Sequence, residues 1–356
     1  MNKDKLLVIN PGSTSTKVAV FKGQMLLWTG TLAHSTGALR EFNNIIDQFQ
    51  FRKKTIESAV LNQGYALEDF KAVVARGGLL KPISGGTYIV NAAMLQDLRN
   101  GTYGEHACNL GALIAREIAG PLGINAYIVD PVVVDELEPL ARLSGIPEVP
   151  RRSIFHALNQ KAMARRYCRE NNRRYEDVNL LVVHLGGGIS VGAHKKGRVI
   201  DVTNALDGEG PFSPERAGGI PVVELLKYFI EHGKDLDGIR KRLIGQGGLA
   251  AYLKTNDARE VEDMIEKGKE EAALVYEAMA YQIAKEIGAY AAVLSGKIDA
   301  IILTGGLAFS SRLTAWIKER VDFIAPVVLY PGEDEMTALV EGVLRVFDGT
   351  EEALVY

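Results

Sequence analysis

Short runs of β-branched and apolar residues recur along the chain, each closed by a glycine-bearing turn. Leu6-Leu7-Val8-Ile9 leads into Asn10-Pro11-Gly12, Leu181-Val182-Val183 into His184-Leu185-Gly186, and Ala300-Ile301-Ile302-Leu303 into Thr304-Gly305-Gly306. Runs of this kind read as buried strands feeding tight turns. Between them lie stretches with apolar positions three and four apart, which predict helices over 41–63, 105–119, 155–170, 269–294 and 333–347. The longest keeps Ala273, Tyr276, Ala280, Ile283, Ile287 and Tyr290 on one face. Strands alternating with helices define an α/β organisation.

The pattern is repeated half a chain length apart. Residues 6–31 read as strand, turn Asn10-Pro11-Gly12-Ser13-Thr14-Ser15, strand, Lys22-Gly23, strand. Residues 180–202 read as strand, turn His184-Leu185-Gly186-Gly187-Gly188, strand, Lys195-Lys196-Gly197, strand. Each is an antiparallel meander opened by a glycine-bearing hairpin. Two related domains meeting at a cleft are expected, one hairpin offered by each.

Composition narrows the class. At 356 residues, two domains are expected. Lys and Arg number 41 against 44 Asp and Glu, a formal charge of −3. That balance argues against a nucleic-acid partner held through its phosphates. No run approaches the ~20 apolar residues of a membrane span, so no membrane partner is expected. The apolar run near the start is too short for a secretory signal. Cys108 and Cys168 share no metal or redox spacing, and a reducing cytoplasm suits them.

Glycine stands out, with 37 residues, and its clusters follow the strands. Turns of small residues present bare backbone N–H groups, and several together make an anion nest. Two nests across a cleft would grip a polyphosphate, with Gly305-Gly306 placed for the nucleoside. Two common nucleotide motifs are absent: residues 12–17 lack the order of a P-loop, and Gly186-Gly187-Gly188 does not continue as a dinucleotide fingerprint.

Val8-Ile9-Asn10-Pro11-Gly12-Ser13-Thr14-Ser15-Thr16-Lys17 and His184-Leu185-Gly186-Gly187-Gly188-Ile189-Ser190 resemble the two phosphate loops of the acetate and butyrate kinases, the acetokinase family. Ala75-Arg76-Gly77-Gly78-Leu79, Asp130-Pro131-Val132-Val133 and Phe155-His156-Ala157-Leu158-Asn159-Gln160 carry the likeness toward its butyrate kinases. The resemblance implies two duplicated ribonuclease-H-like (actin-like ATPase) domains around a nucleotide cleft, each a five-stranded mixed sheet. The first would be 1–150 plus a returning helix, 335–356; the second would be 151–334. It also implies a homodimer or higher homo-oligomer.

The implied reaction is reversible transfer of a phosphoryl group from ATP to a short-chain fatty acid, giving an acyl phosphate and ADP with Mg²⁺. A carboxylate with pKa ~4 is already ionised at neutral pH. It needs no general base; it needs positive charge and positioning. Arg76 matches the family's substrate-carboxylate arginine, and a guanidinium can hold a carboxylate bidentately. Arg216 matches the arginine that neutralises the transferring phosphoryl, and His156 the histidine that hydrogen-bonds it. His184 takes the place that Asn10 holds in the first loop. Asp130 matches the catalytic aspartate; with Asn10 and Glu335 it belongs to the metal shell. Ser13, Thr14, Lys17, Gly186, Gly187 and Gly188 would meet the phosphates, and Asp257, Arg259, Gly305 and Gly306 the nucleoside. Gly77 and Gly78 stand where acetate kinases carry bulky valines, and with Phe155 are expected to line a wider acyl pocket. His34, His106, His194 and His232 read as structural. An acetate or propionate kinase is the near alternative, and an actin- or chaperone-type ATP-binding protein the distant one. A sugar kinase would need a base beside a hydroxyl.

Overall fold

The computed structural model describes residues 3–356. The chain divides into two compact units: one runs to Val134 and regains Asp334–Tyr356, the other is Asp135–Glu333. Among the described residues the strands are β1 (Lys5–Pro11), β2 (Ser15–Lys22), β3 (Met25–Ala33), β4 (Phe70–Arg76), β5 (Thr87–Ile89), β6 (Asn125–Val129), β7 (Asn179–Leu185), β8 (Ile189–Lys195), β9 (Arg198–Val202), β10 (Ala300–Gly305), β11 (Val327–Pro331) and β12 (Leu354–Val355).

In the first unit the sheet order is β12-β5-β6-β4-β1-β2-β3. β2 runs antiparallel to β1 and β3, while β1, β4 and β6 are parallel. In the second unit the order is β11-β10-β7-β8-β9, again with an antiparallel meander beside parallel strands. The strands β3-β2-β1-β4-β6 and β9-β8-β7-β10-β11 thus repeat one topology, a duplicated ribonuclease-H-like order. The first sheet is larger than the expected five strands. β5 turns back antiparallel on β6, and the chain end lays β12 along β5.

Residues 135–150, expected with the first domain, pack with the second. Glu136 accepts from Lys161 Nζ at 2.9 Å and from the backbone of Val199 at 2.7 Å, and Glu138 N reaches Ile200 O. These buried bonds carry no local sequence signal.

The helices start later than periodicity suggests. Asn109–Ala119 and Phe49–Asn62 occupy the C-terminal parts of their predicted segments. Ala157–Glu170 and Glu270–Val293 match theirs within two residues at each end. The last helix, Glu335–Phe347, buries Leu339, Val340 and Val343 against β1, β4 and β6. Gly342 permits that approach: a Cβ there would lie 2.5 Å from Val129.

Candidate active site

In an open α/β sheet the carboxyl ends of parallel strands are where ligands bind. In the first unit those ends bring together Asn10 on β1, Arg76 on β4 and Asp130 immediately after β6. Arg76 pairs in register with Val129, which puts Asp130 one residue beyond it.

The β1–β2 turn exposes Ser13, Thr14 and Lys17. Its inner side is held by Arg52, a fully buried side chain that the sequence reading missed. Arg52 donates to the carbonyls of Gly12, Ser13 and Ser15, to Thr16 Oγ1 and to Gln48 Oε1. The guanidinium occupies the turn's acceptors from below. His34 Nε2 hydrogen-bonds Thr16 Oγ1 at 2.9 Å beside it, and burial first, then Arg52, pulls the His34 pKa down.

Arg76 meets a carboxylate. Its Nη1 lies 3.0 and 3.1 Å from the two oxygens of Glu335, and Asn10 Nδ2 donates to the same carboxylate at 2.6 Å. Asp130 has φ 37°, a region costly for a side chain with a Cβ. It is held there by bonds with Gly86: the Gly86 N–H donates to Asp130 Oδ1 at 2.7 Å, and Asp130 N donates to Gly86 O at 3.0 Å. His106 and Cys108, read as structural and idle, are electrostatic neighbours of Arg76. They hydrogen-bond one another through Nδ1 and Sγ at 2.9 Å. Burial pushes the Cys108 thiol up to about 11.

The two glycines after Arg76 do not open a pocket. A Cβ at Gly77 would lie 2.6 Å from Pro131 Cβ, and one at Gly78 would lie 2.6 Å from both Asn109 Cα and Asn109 Oδ1. Both positions are small because neighbouring chain segments pass against them. Their missing side chains therefore supply close packing and not acyl volume. Phe155 is buried in the second unit.

In that second unit the β7–β8 turn brings six of the expected residues together: His156, His184, Gly186, Gly187, Gly188 and Arg216. His156 and His184 stack with ring centroids 3.7 Å apart and planes 11° from parallel. His184 Nδ1 hydrogen-bonds Asn159 Oδ1 at 2.8 Å, and its Nε2 lies 3.0 Å from Glu333 Oε1. The place of Glu333 two residues after β11 brings it to His184. Arg216 lies across Gly188 and donates to Ala205 O. A Cβ on Gly188 would fall 1.9 Å from Arg216 Nη1, so only glycine leaves the guanidinium this position. Ser213 ties the arginine's loop to the turn, accepting from Arg216 N and donating to Gly187 O. Burial pulls the Arg216 pKa down, although Glu215 and Asp207 oppose it. Its Nε is buried with no hydrogen-bond partner, a deficit of ~1–3 kcal/mol. The guanidinium therefore has an energetic incentive to take a new acceptor.

A cavity of about 640 Å³ in the same unit is lined by Asp257, Arg259, Glu262, Gly306, Leu307 and Phe309, among others. It unites three of the four expected nucleoside residues, Asp257, Arg259 and Gly306. Arg259 donates to both oxygens of Asp257, which with the Arg259 N–H holds that carboxyl at about 2. Gly305, with φ 90°, lets β10 pass against Leu185; a Cβ there would lie 2.3 Å from Leu185 O. A Cβ at Gly306 would meet nothing within 4 Å. Phe309, 73% exposed, presents its ring at this cavity.

The oxygen donors of the first unit fit Mg²⁺, which takes one or two protein carboxylates and keeps waters and phosphates for the rest. Asp130, Glu335 and Asn10 supply such a sparse set. Among the described residues no group of three or more His, Cys, Asp or Glu converges on one point. No helix among them is long and apolar enough to cross a membrane.

The duplicated sheets and their strand-end turns define an actin-like ATPase fold. Two solved structures share it over nearly the whole chain. Acetate kinase from Porphyromonas gingivalis superposes with a TM-score of 0.78 at 20% identity, covering 96% of this chain and 99% of that one. A propionate kinase from Francisella tularensis gives 0.76 at 18% identity, with the same coverage. Residues 147–321 match the sequence profile of the acetokinase family. Butyrate kinase 2 of Clostridium acetobutylicum is 56% identical over 354 residues, 99% of each chain. The chain belongs to the acetokinase family.

Proposed function

We propose that this protein is a carboxylate kinase that moves the γ-phosphoryl of ATP reversibly onto a short-chain fatty acid, butyrate or a branched acid of four to five carbons. The observation that carries the reading is Arg76, whose guanidinium meets a carboxylate, that of Glu335, at a strand end. The 56% identity to a protein named butyrate kinase 2 supports the choice of acid.

The acid arrives ionised, so the residues have no proton to remove from it. Arg76 holds the attacking carboxylate, exchanging Glu335 for it. Arg216 releases Ala205 O and gives its charge to the phosphoryl oxygens as they separate from ADP. His156 donates a hydrogen bond to the same group, and His184, fixed by Asn159 and Glu333, backs its ring. The backbone of the β7–β8 turn and the exposed Ser13, Thr14 and Lys17 meet the phosphates. Asp257, Arg259, Gly305 and Gly306 hold the nucleoside. Asn10, Asp130 and Glu335 would hold Mg²⁺, which offsets the repulsion between nucleotide and acid.

The reading includes work in the cytoplasm, supported by two free, buried cysteines. It also includes self-assembly, supported by the apolar helix Val222–Glu231, on which Val222, Val223, Leu226 and Ile230 are all exposed. A single-chain mass by light scattering would remove the second.

Hydroxylamine trapping with ATP, Mg²⁺ and straight and branched acids of two to six carbons tests the activity. Acyl hydroxamate is expected, with kcat/KM highest for four- and five-carbon acids. ATP hydrolysis without hydroxamate from any acid would favour an actin- or chaperone-type ATPase. A maximum at acetate or propionate would reassign the substrate.

A further inference from the structure

We infer that Ser190 and Gln160 are positioning residues that fix both the tautomer and the aim of His156; the catalytic consequence rests on the kinase reading above. The polarity of the chain of hydrogen bonds follows from one atom. Gln160 Nε2 lies 3.1 Å from Ser190 O, a carbonyl that can only accept. The amide nitrogen is therefore on that side and Oε1 on the other. Oε1 lies 2.9 Å from His194 Nε2, so that nitrogen carries the hydrogen. His194 Nδ1 then accepts from Tyr175 OH at 2.7 Å. A neutral His194 agrees with its burial, which together with Lys161 and Arg165 holds its pKa well below the usual value.

In the other direction, Gln160 Nε2 also donates to Ser190 Oγ at 2.8 Å. Gln160 Nε2 can only donate, so His156 Nδ1, 3.0 Å away, is the acceptor open to the serine hydrogen. The His156 ring is left protonated at Nε2, a neutral donor aimed by its opposite nitrogen. Ser190, Gln160 and His194 are each fully buried, so water does not compete for these bonds.

The local sequence builds this relay. Ser190, Gly192 and His194 alternate on one face of β8. Gln160 sits one helical turn from His156, its N–H bonded to His156 O at 2.9 Å. Gly192 makes the room: a Cβ there would fall 2.5 Å from Gln160 Oε1 and 3.3 Å from His194 Nε2.

Nitrogen-15 NMR of ring-labelled histidine in the ligand-free full chain reads the tautomer, with His156→Asn assigning the signals. The wild type should show a protonated Nε2 and a hydrogen-bonded, bare Nδ1. In Ser190→Ala the Nδ1 signal should move to that of a free acceptor. Acyl-phosphate kcat should fall about 10- to 100-fold, the scale of a slight misplacement, with KM for acid and ATP within about threefold. Ser190→Thr, which keeps the hydroxyl, should restore both signal and kcat. Gly192→Ala, which crowds Gln160 and leaves Ser190 in place, should shift the same Nδ1 signal and covers the case of a poorly folding serine variant. A proton on Nδ1 in the wild type overturns the inference, as does a folded Ser190→Ala with unchanged Nδ1 signal and kcat. If the wild type makes no acyl phosphate at all, the kinase reading fails while the NMR still decides the tautomer.

Discussion

Replacing Gly188 by alanine adds one methyl group beside the β7–β8 turn and should act through Arg216. That Cβ would lie 1.9 Å from Arg216 Nη1 and 2.6 Å from its Cζ, with the next neighbour, Ala205 O, at 3.0 Å. The first two atoms are the far end of a flexible side chain, so the guanidinium moves and the backbone stays. Gly188 does not have the positive φ that alanine resists. The fold should therefore survive, with a stability change below about 1 kcal/mol. On the proposed role of Arg216, the displaced guanidinium would no longer reach the phosphoryl group. Losing one donor to developing charge costs about 10²–10³ in kcat, or ~2.7–4 kcal/mol. Hydroxamate formation under saturating substrates, with the melting temperature measured in parallel, reads both quantities. Arg216→Ala should cost a similar factor, and the double variant should lose little more, because both changes remove one interaction. A Gly188→Ala enzyme with wild-type kcat would refute the reasoning, and so would losses that multiply in the double variant.

Arg52→Met leaves the carbonyls of Gly12, Ser13 and Ser15 without their buried donor; at ~1–3 kcal/mol for an unsatisfied group, the melting temperature should fall by several degrees and KM for ATP should rise, while an unchanged melting curve would mean that the turn supports itself. Gly78→Ala pushes a methyl against the backbone of Asn109, so it should lose ~1–3 kcal/mol with the butyrate-to-acetate ratio unchanged; a shift toward acetate at wild-type stability would return Gly78 to the acyl pocket. Glu335→Gln removes the charge that occupies Arg76, so calorimetry in chelator should find tighter butyrate binding than in the wild type, and weaker or equal binding would deny the competition. Burial pushes the Cys108 thiol up to about 11, so it is overwhelmingly protonated at pH 8. It should resist a disulfide reagent at pH 8 until the protein is denatured, and rapid native labelling would contradict its burial.

The duplicated meanders, the strand-end turns and the longest helix were legible in the chain because they rest on local periodicity and on where glycine interrupts it. A strand followed by Asn10-Pro11-Gly12 or His184-Leu185-Gly186 announces a turn without reference to any distant residue. Asn10 and His184 could be picked out because each ends such a strand in the repeat, whereas the family resemblance picked out Arg76 and Asp130. The family motifs supplied Arg216, His156 and the Asp257–Arg259 pair, whose places no period encodes. What lies beneath and behind these residues depended on how the elements pack. Arg52 reaches the first turn from a helix 40 residues away, and Glu335 reaches Arg76 across 259. No local signal marks either partner, since a buried guanidinium and a surface one are spelled alike. The same holds for glycine. Gly78 and Gly188 look equivalent in sequence, yet the missing Cβ of one faces Asn109 and that of the other faces the Arg216 guanidinium. Only the tertiary structure decides which way a Cα–Cβ bond points and what it would strike. That is why the turns could be located from the sequence, while the close packing around Gly77 and Gly78 could not.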